Sequence, residues 1–278
     1  MKKYLLKPVN PAGNIDLFDE LPFWSAPFGL KLLDQIDYKP NITALDIGFG
    51  TGFPLIELAM RLGERSTVYG IDPWQEAHAT VNKKIEFYGI TNITLIEVVA
   101  ESIPLEDNSV DLIVSNNGIN NVSNIDKVLS ECARISRPGG QFVMTMNLDK
   151  SLVEFYIELE SVLKEIHLDK EIEMMHRHIY EKRRPLDEIN SLLRKHGFLI
   201  KDQEEDQFQY KFTDGTAMFN HYFIRMAFME AWIKFLPEDK LEEIFDKVET
   251  RLNDQARVSG GIKMSVPFTV INAKRNLA

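Results

Sequence analysis

Asn41 to Gly63 reads NITALDIGFGTGFPLIELAMRLG. An apolar run, Asn41 to Gly48, ends in a glycine-rich turn, and a run with helical spacing follows at once. A short run that is apolar throughout, rather than alternating, predicts a parallel strand covered on both faces. Pro54 suits the first turn of the following helix and Gly63 suits its stop. The turn itself is Asp46-Ile47-Gly48-Phe49-Gly50-Thr51-Gly52. Its glycines let backbone approach a ligand with no β-carbon in the way. The helix amino end behind the turn favours negative groups. Glycines at this spacing also serve dinucleotides, and a plain tight turn uses them too, so the turn alone selects no ligand.

The same alternation continues outward. TVYGID (Thr67 to Asp72) reads as a second strand, followed by a helix from about Gln75 to Tyr88 that ends at Gly89. ITLIEVV (Ile93 to Val99) reads as a third strand and SVDLIVSN (Ser109 to Asn116) as a fourth, with a loop from Ala100 to Asn108 between them. NIDKVLSECARI (Asn124 to Ile135) has helical spacing, and GQFVMTMN (Gly140 to Asn147) reads as a fifth strand. Strands alternating with helices imply parallel pairing through right-handed crossovers. A ligand site then lies beyond the carboxyl ends of the strands.

The second half is less regular. Residues 151 to 180 read as helical, a helix over PLDEINSLLRKHGF leads into a strand from Leu199 to Phe212, and GIKMSVPFTVINA reads as a last strand. Between them lies a helical stretch from Thr216 to Leu252, interrupted at Pro237. The organisation expected is an amino-terminal helical lid over 1–40, a ligand-binding core over 41–147 and a helical cap insertion over 148–184. A core helix with strand six over 185–213, a second helical cap over 214–257 and a final strand over 258–278 complete it.

The chain has 278 residues, one cysteine and a formal net charge of −10. That balance argues against a general nucleic-acid backbone binder, which needs a concentrated positive surface. Lys182, Arg183 and Arg184 make one local basic cluster, read as a solvated helix approach. Cys132 has no intrachain partner, and the start of the chain does not read as a signal peptide, so a reducing, cytoplasmic setting is expected. AMFNHYFIRMAFMEAWIKF (Ala217 to Phe235) is the most apolar stretch, but His221, Arg225, Glu230 and Lys234 exclude a membrane span. His176 and His178 have no further ligand set around them, so no metal is expected.

Asp72 ends the second strand, where a carboxylate can accept from both hydroxyls of a ribose. Pro73 and Trp74 follow, and Trp74 packs on an adenine face, on a substrate or in the core between sheet and helix. With ALDIGFGTG and Asp72, two further segments set the pattern: AESIPLEDNSVDLIVSN (Ala100 to Asn116) and VLSECARISRPGGQFVM (Val128 to Met144). In this order the four resemble the class I S-adenosylmethionine-dependent methyltransferases, on the branch of the ubiquinone and menaquinone C-methyltransferases. The resemblance covers about residues 40 to 147. It implies an α/β fold: a doubly wound, Rossmann-like, seven-stranded and mostly parallel sheet with an antiparallel last strand and helical cap insertions.

The resemblance also implies roles. S-adenosylmethionine is the expected cofactor. Asp46, Gly48, Gly50 and Gly52 would surround its amino-acid part, and Asp72 its ribose, with Pro73 and Trp74 beside it. Ala100, Glu101 and Ser102 would lie by the adenine, and Asn116 and Asn117 under the methionine near the methyl. The family usually has an aspartate just before the Ala-Glu pair. Here that residue is Val99, so Glu101, Ser102 or packing must hold the adenine instead.

The acceptor site is read more coarsely. Methyl transfer needs alignment and exclusion of water more than covalent help, and a base only for some acceptors. Phe23, Trp24 and Phe28 are candidates for an apolar substrate lid or for a plain seal of the domain. His221 and Arg225, four apart on an expected helix, are candidates for binding an acidic substrate, with His221 and Asn117 as catalytic candidates. The expected partner is a small-molecule methyl acceptor, apolar or amphipathic, with no nucleic acid and with a homodimer as an option. The alternatives are a non-catalytic protein that binds S-adenosylmethionine or S-adenosylhomocysteine, and an RNA or protein methyltransferase.

Overall fold

The computed structural model describes Lys2, Leu5 and residues 23–277. The expected lid over 1–40 therefore lies partly outside the described residues. Two compact units emerge among the described residues: one of 148–184 and 207–267, and one of 23–147, 185–206 and 268–277.

The second unit carries the sheet. Its elements begin with α1 (Ser25–Asp34), β1 (Thr43–Ile47), α2 (Leu55–Leu62), β2 (Thr67–Ile71) and α3 (Gln75–Tyr88). They continue with β3 (Ile93–Ile96), β4 (Val110–Asn116), α4 (Ile125–Ile135), β5 (Ser136–Asn147), then α5 (Val153–Glu165) and α6 (Asp169–Lys182), which belong to the other unit. After α7 (Leu186–Lys195), the long strands β6 (Phe198–Phe212) and β7 (Ile262–Arg275) supply residues to both units. The sheet has seven strands in the order β3-β2-β1-β4-β5-β7-β6. The pairs β1–β2, β1–β4, β2–β3 and β4–β5 are parallel, and β7 runs antiparallel to β5.

The apolar strands are buried because the sheet is covered on both sides. Four of the five residues of β1 and six of the seven of β4 are buried. On one side Val128, Leu129 and Cys132 of α4 pack with Leu193 of α7 and Phe142 of β5. Each such buried side chain contributes about 1.5–3 kcal/mol. Burial pushes the Cys132 thiol far up, so this cysteine is an inert core residue.

Three boundaries differ from the sequence reading. β3 stops at Ile96 rather than Val99, because the Val98 N–H turns back onto the Ile96 carbonyl at 3.1 Å. β5 starts at Ser136 rather than Gly140, and a register shift between Val110 and Leu112 absorbs Pro138-Gly139-Gly140. The apolar stretch from Ala217 to Phe235 is not one helix but α8 (Gly215–Asn220), α9 (Tyr222–Ala227) and α10 (Met229–Ile233). His221 breaks it with an extended backbone, φ −62° and ψ 129°, and Phe228 breaks it again.

The helical unit holds these three helices with α5, α6 and α11 (Leu241–Ser259). Trp232 is fully buried, stacked on Phe155 at 3.9 Å between ring centres, and its Nε1 donates to the Tyr156 hydroxyl at 3.0 Å. Ser265 anchors α5, its N–H and hydroxyl both donating to Glu154. No described helix is long and apolar enough to cross a membrane.

Candidate cofactor site

The site grows from the carboxyl ends of β1, β2, β4 and β5. Leaving β1, Gly48 adopts φ +76°, and a β-carbon there would stand 2.8 Å from the Gly118 Cα. Two backbones therefore pass in direct contact, and only glycine allows it. Gly118 in turn follows β4, where the Ser115 hydroxyl donates to the Ile47 carbonyl at 2.9 Å and accepts from the Ile119 N–H at 3.2 Å. Gly50, φ +51°, faces open space. Gly52 completes the turn at φ +107° and its β-carbon would crowd Ile56 and Val81.

Asp46 is completely buried, and among the described residues its carboxylate has no well-formed hydrogen bond, the Leu55 N–H being the one backbone donor that acts on it. Burial, and then the charge of Asp72, pushes its carboxyl up to about 8. A buried carboxylate left in this state is costly unless a donor or a cation completes it. Asp72 is differently placed. Its two oxygens accept from the Gly50 N–H and the Trp74 N–H, each at 2.9 Å, which ties the glycine turn to the start of α3. Pro73 is exposed and Trp74 half-buried. His78, which the sequence reading missed, bonds the Asp72 carbonyl through Nε2 at 2.8 Å, and the buried Phe49 ring meets it edge-on at 4.8 Å. The i, i+6 spacing of Asp72 and His78 across a helix start was the available signal.

The Ala100 to Asn108 loop carries Ala100, buried, and Ser102, exposed. Glu101 is already engaged: one carboxylate oxygen accepts from the N–H groups of Ser123 and Asn124, at 2.8 and 3.0 Å. It thus braces the start of α4. Val99 is half exposed. Arg134, also missed in the sequence, clamps this loop by donating to the carbonyls of Ile103 and Leu105, both at 2.8 Å, and to Asp107. Its bonds to Glu131 hold that carboxyl below the usual range. Replacing Arg134 by Met is expected to remove about 2 kcal/mol of stability and to weaken S-adenosylhomocysteine binding, read by urea unfolding and calorimetry.

At the end of β4, Asn116 is fully used. Its Nδ2 donates to the Ser25 carbonyl at 3.1 Å and its Oδ1 accepts from Thr145 at 2.9 Å, so it fastens α1 over the strand end. Asn117 has φ +59°, and its Oδ1 accepts from Asn120 while its buried Nδ2 has no partner among the described residues. Oδ1 of Asn120 and Oδ1 of Asn147 at the end of β5 are likewise buried without partners. Orphaned polar atoms thus gather at the ends of β1, β4 and β5, where a ligand is expected.

Of the aromatic candidates, Phe28 is fully buried and meets Phe268 at 4.7 Å, which makes it a core seal. Trp24 is half-buried against it at 5.6 Å, and Phe23 is exposed. His221 and Arg225 belong to the helical unit. They do not share one helix, since His221 lies in the break between α8 and α9 and accepts the Arg225 N–H on its carbonyl. Tyr210 and Phe212 flank the His221 ring, its Nδ1 has no partner, and burial holds it below its usual pKa.

Residues 45–144 match a family model described as a methyltransferase domain. A demethylmenaquinone methyltransferase of Shouchella clausii is 31% identical over 132 residues, 45% of this chain and 56% of the relative. The chain spans about half the length of the curated relatives it matches. Among solved structures, a SAM-dependent methyltransferase from Aquifex aeolicus aligns with TM-score 0.51 and 21% identity, over 69% of this chain and 90% of that one. The 4+2 cyclase SpnF aligns with TM-score 0.55 and 15% identity, over 91% and 81%. These likenesses show a shared fold. The cofactor named for the Aquifex aeolicus structure is S-adenosylmethionine. The residues of this chain fit that molecule, because the buried Asp46 carboxylate matches a ligand ammonium and open space lies in front of Gly50.

Proposed function

We propose that the chain transfers a methyl group from S-adenosylmethionine to a small organic molecule, of quinone-like, apolar or amphipathic character. The observation that carries the choice of cofactor is the fully buried Asp46 at the glycine turn, whose carboxylate faces no cation among the described residues. A dinucleotide would bring its pyrophosphate to that turn and the helix behind it. An anion there would hold that carboxyl in its protonated form and gain no charge pair. A molecule with an ammonium group gains the charge pair instead. The quinone-like acceptor is supported by relatives whose described substrate is demethylmenaquinone.

In this reading Asp46 holds the ammonium, and the backbone from Gly48 to Gly52 lies along the amino-acid part. Asp72 exchanges one of its amide partners for ribose hydroxyls. Ala100, Ser102 and the loop clamped by Arg134 hold the adenine side. The cofactor supplies an electrophilic methyl on a sulfonium. The chain's own task is to orient the acceptor and keep water out. Asn117 Nδ2, with no hydrogen-bond partner among the described residues, is the donor that positions the ligand.

Calorimetry with S-adenosylmethionine, S-adenosylhomocysteine and NAD tests this. Both sulfur ligands are expected to bind and NAD is not. Asp72→Ala is expected to weaken them about a hundredfold through the lost charged hydrogen bonds and the loosened turn. Binding of NAD alone would overturn the reading. Tight binding of S-adenosylhomocysteine with none of the methyl donor would replace catalysis by a regulatory role.

A further inference from the structure

A cavity of the helical unit has a volume of about 430 Å³ and is lined by α6 and by the stretch from Met226 to Phe235. Such a volume takes a small organic molecule. Met174, Met226 and Phe235 supply its apolar surface. Its charged side chains, Arg177, Glu181, Lys182, Glu230 and Lys234, are all exposed and stand at the rim. Lys234 pairs with Glu230 at 2.8 Å, and Arg177 and Glu181 lie about one turn apart on α6 with opposite signs. The rim therefore mixes both signs and selects neither.

His178 is the one polar lining side chain that is half-buried rather than exposed. Its ring packs against the buried Phe235, 5.4 Å between centres. Neither ring nitrogen takes a hydrogen bond among the described residues. Burial, followed by the positive fields of Arg183 and Lys182, pushes the imidazole down to about 4, so it is neutral at pH 7. Arg183 closes α6 and is 4% exposed, not solvated as the basic cluster reads in sequence. A neutral imidazole offers one N–H donor and one bare acceptor nitrogen, and a hydroxyl can serve either. An ionised ligand group would shed its water here for a partner that carries no charge.

We propose that the helical unit binds an uncharged ring compound bearing a hydroxyl: the ring lies against Phe235, Met174 and Met226, and the hydroxyl bonds to the His178 imidazole. The inference goes beyond methyl transfer and stands without it.

The test uses the full chain at pH 7 and calorimetric titration with naphthol, its methyl ether, naphthoate and naphthylmethylamine, which share one ring body. Naphthol is expected to bind at least about tenfold more tightly than each of the other three. His178→Phe keeps a ring and removes the bond, so the difference between naphthol and the ether should vanish. His178→Gln should restore part of it, because an amide still donates and accepts. Ala231→Trp puts a large side chain on the cavity wall and should weaken naphthol and ether alike. His176→Phe, outside the lining, is the control and is expected to change neither. Failure of naphthol to bind the parent chain would overturn the proposal. So would equal binding of the ether, the naphthoate or the amine, and these arms need no variant to fold. A preference for naphthol that survives in both His178→Phe and Ala231→Trp, each folded by circular dichroism, would overturn it too.

Discussion

Asp46→Asn is expected to make the cofactor-free chain more stable at pH 8 while weakening S-adenosylmethionine binding about a hundredfold. The two effects share one cause. An unfolded aspartate titrates near 3.8 and this one, folded, near 8. Between those values the native chain holds a proton that the unfolded chain has released. Stability therefore falls as pH rises through that window, by at most about 1.4 kcal/mol per pH unit, and the loss is complete above the folded value. The asparagine variant has no such slope from this site, so its advantage should reach a few kcal/mol at pH 8 and shrink toward pH 4. Urea unfolding of both chains at several pH values reads this directly. Parallel stability profiles would sink the idea. A cationic ligand reverses the logic, because its ammonium favours the ionised carboxyl. Binding near neutral pH should then release a proton to the buffer. Calorimetry in two buffers of different ionisation enthalpy would detect it, and the asparagine variant should lose it.

The second large effect is expected at Gly118. A β-carbon there would stand 2.2 Å from the Ile47 carbonyl oxygen, 2.9 Å from the Ser115 hydroxyl and 3.1 Å from the Gly48 Cα. Two of these obstacles are backbone, so no side-chain rotation relieves them. Gly118→Ala must separate β1 from the turn after β4, and it is expected to cost about 3 kcal/mol or more. The glycine turn and the Asn117 loop would move apart, so S-adenosylhomocysteine binding should fall with stability. Gly89→Ala is the comparison. Gly89 ends α3 at φ +65° with nothing near its missing side chain. It carries conformational strain alone, of about 1 kcal/mol. Equal denaturation midpoints for the two variants would refute the close-contact argument.

The sheet was legible in sequence because strands covered on both faces are apolar without interruption, and because Gly63, Gly89 and Asn124 punctuate the helices between them. Asp46 and Asp72 stood out by position at strand ends. Their opposite conditions did not: one carboxylate is fully buried with no well-formed bond among the described residues and the other is bonded to two amides, which only the folded turn decides. Glu101 was read as an adenine neighbour, yet its bonds go to Ser123 and Asn124, twenty-two residues and more along the chain. Spacing carries no signal for such a contact. The run from Ala217 to Phe235 is apolar on every side once buried, so periodicity could not show its breaks at His221 and Phe228. Arg183 was misread because a basic triplet looks solvated in sequence. It is buried, with its guanidinium over the ring of Tyr156 on a different helix.

The order of the sheet has a consequence for synthesis. β7 lies between β5 and β6, yet it follows every other strand in the chain. While the chain is emerging from the ribosome, β5 presents an open edge of unsatisfied amides and carbonyls, and β6 has no neighbour to pair with. An open edge of that kind recruits strands from other molecules. The last strand thus acts as the closing seam of the sheet, and a nascent chain halted before residue 262 would carry an aggregation-prone margin that the finished molecule hides.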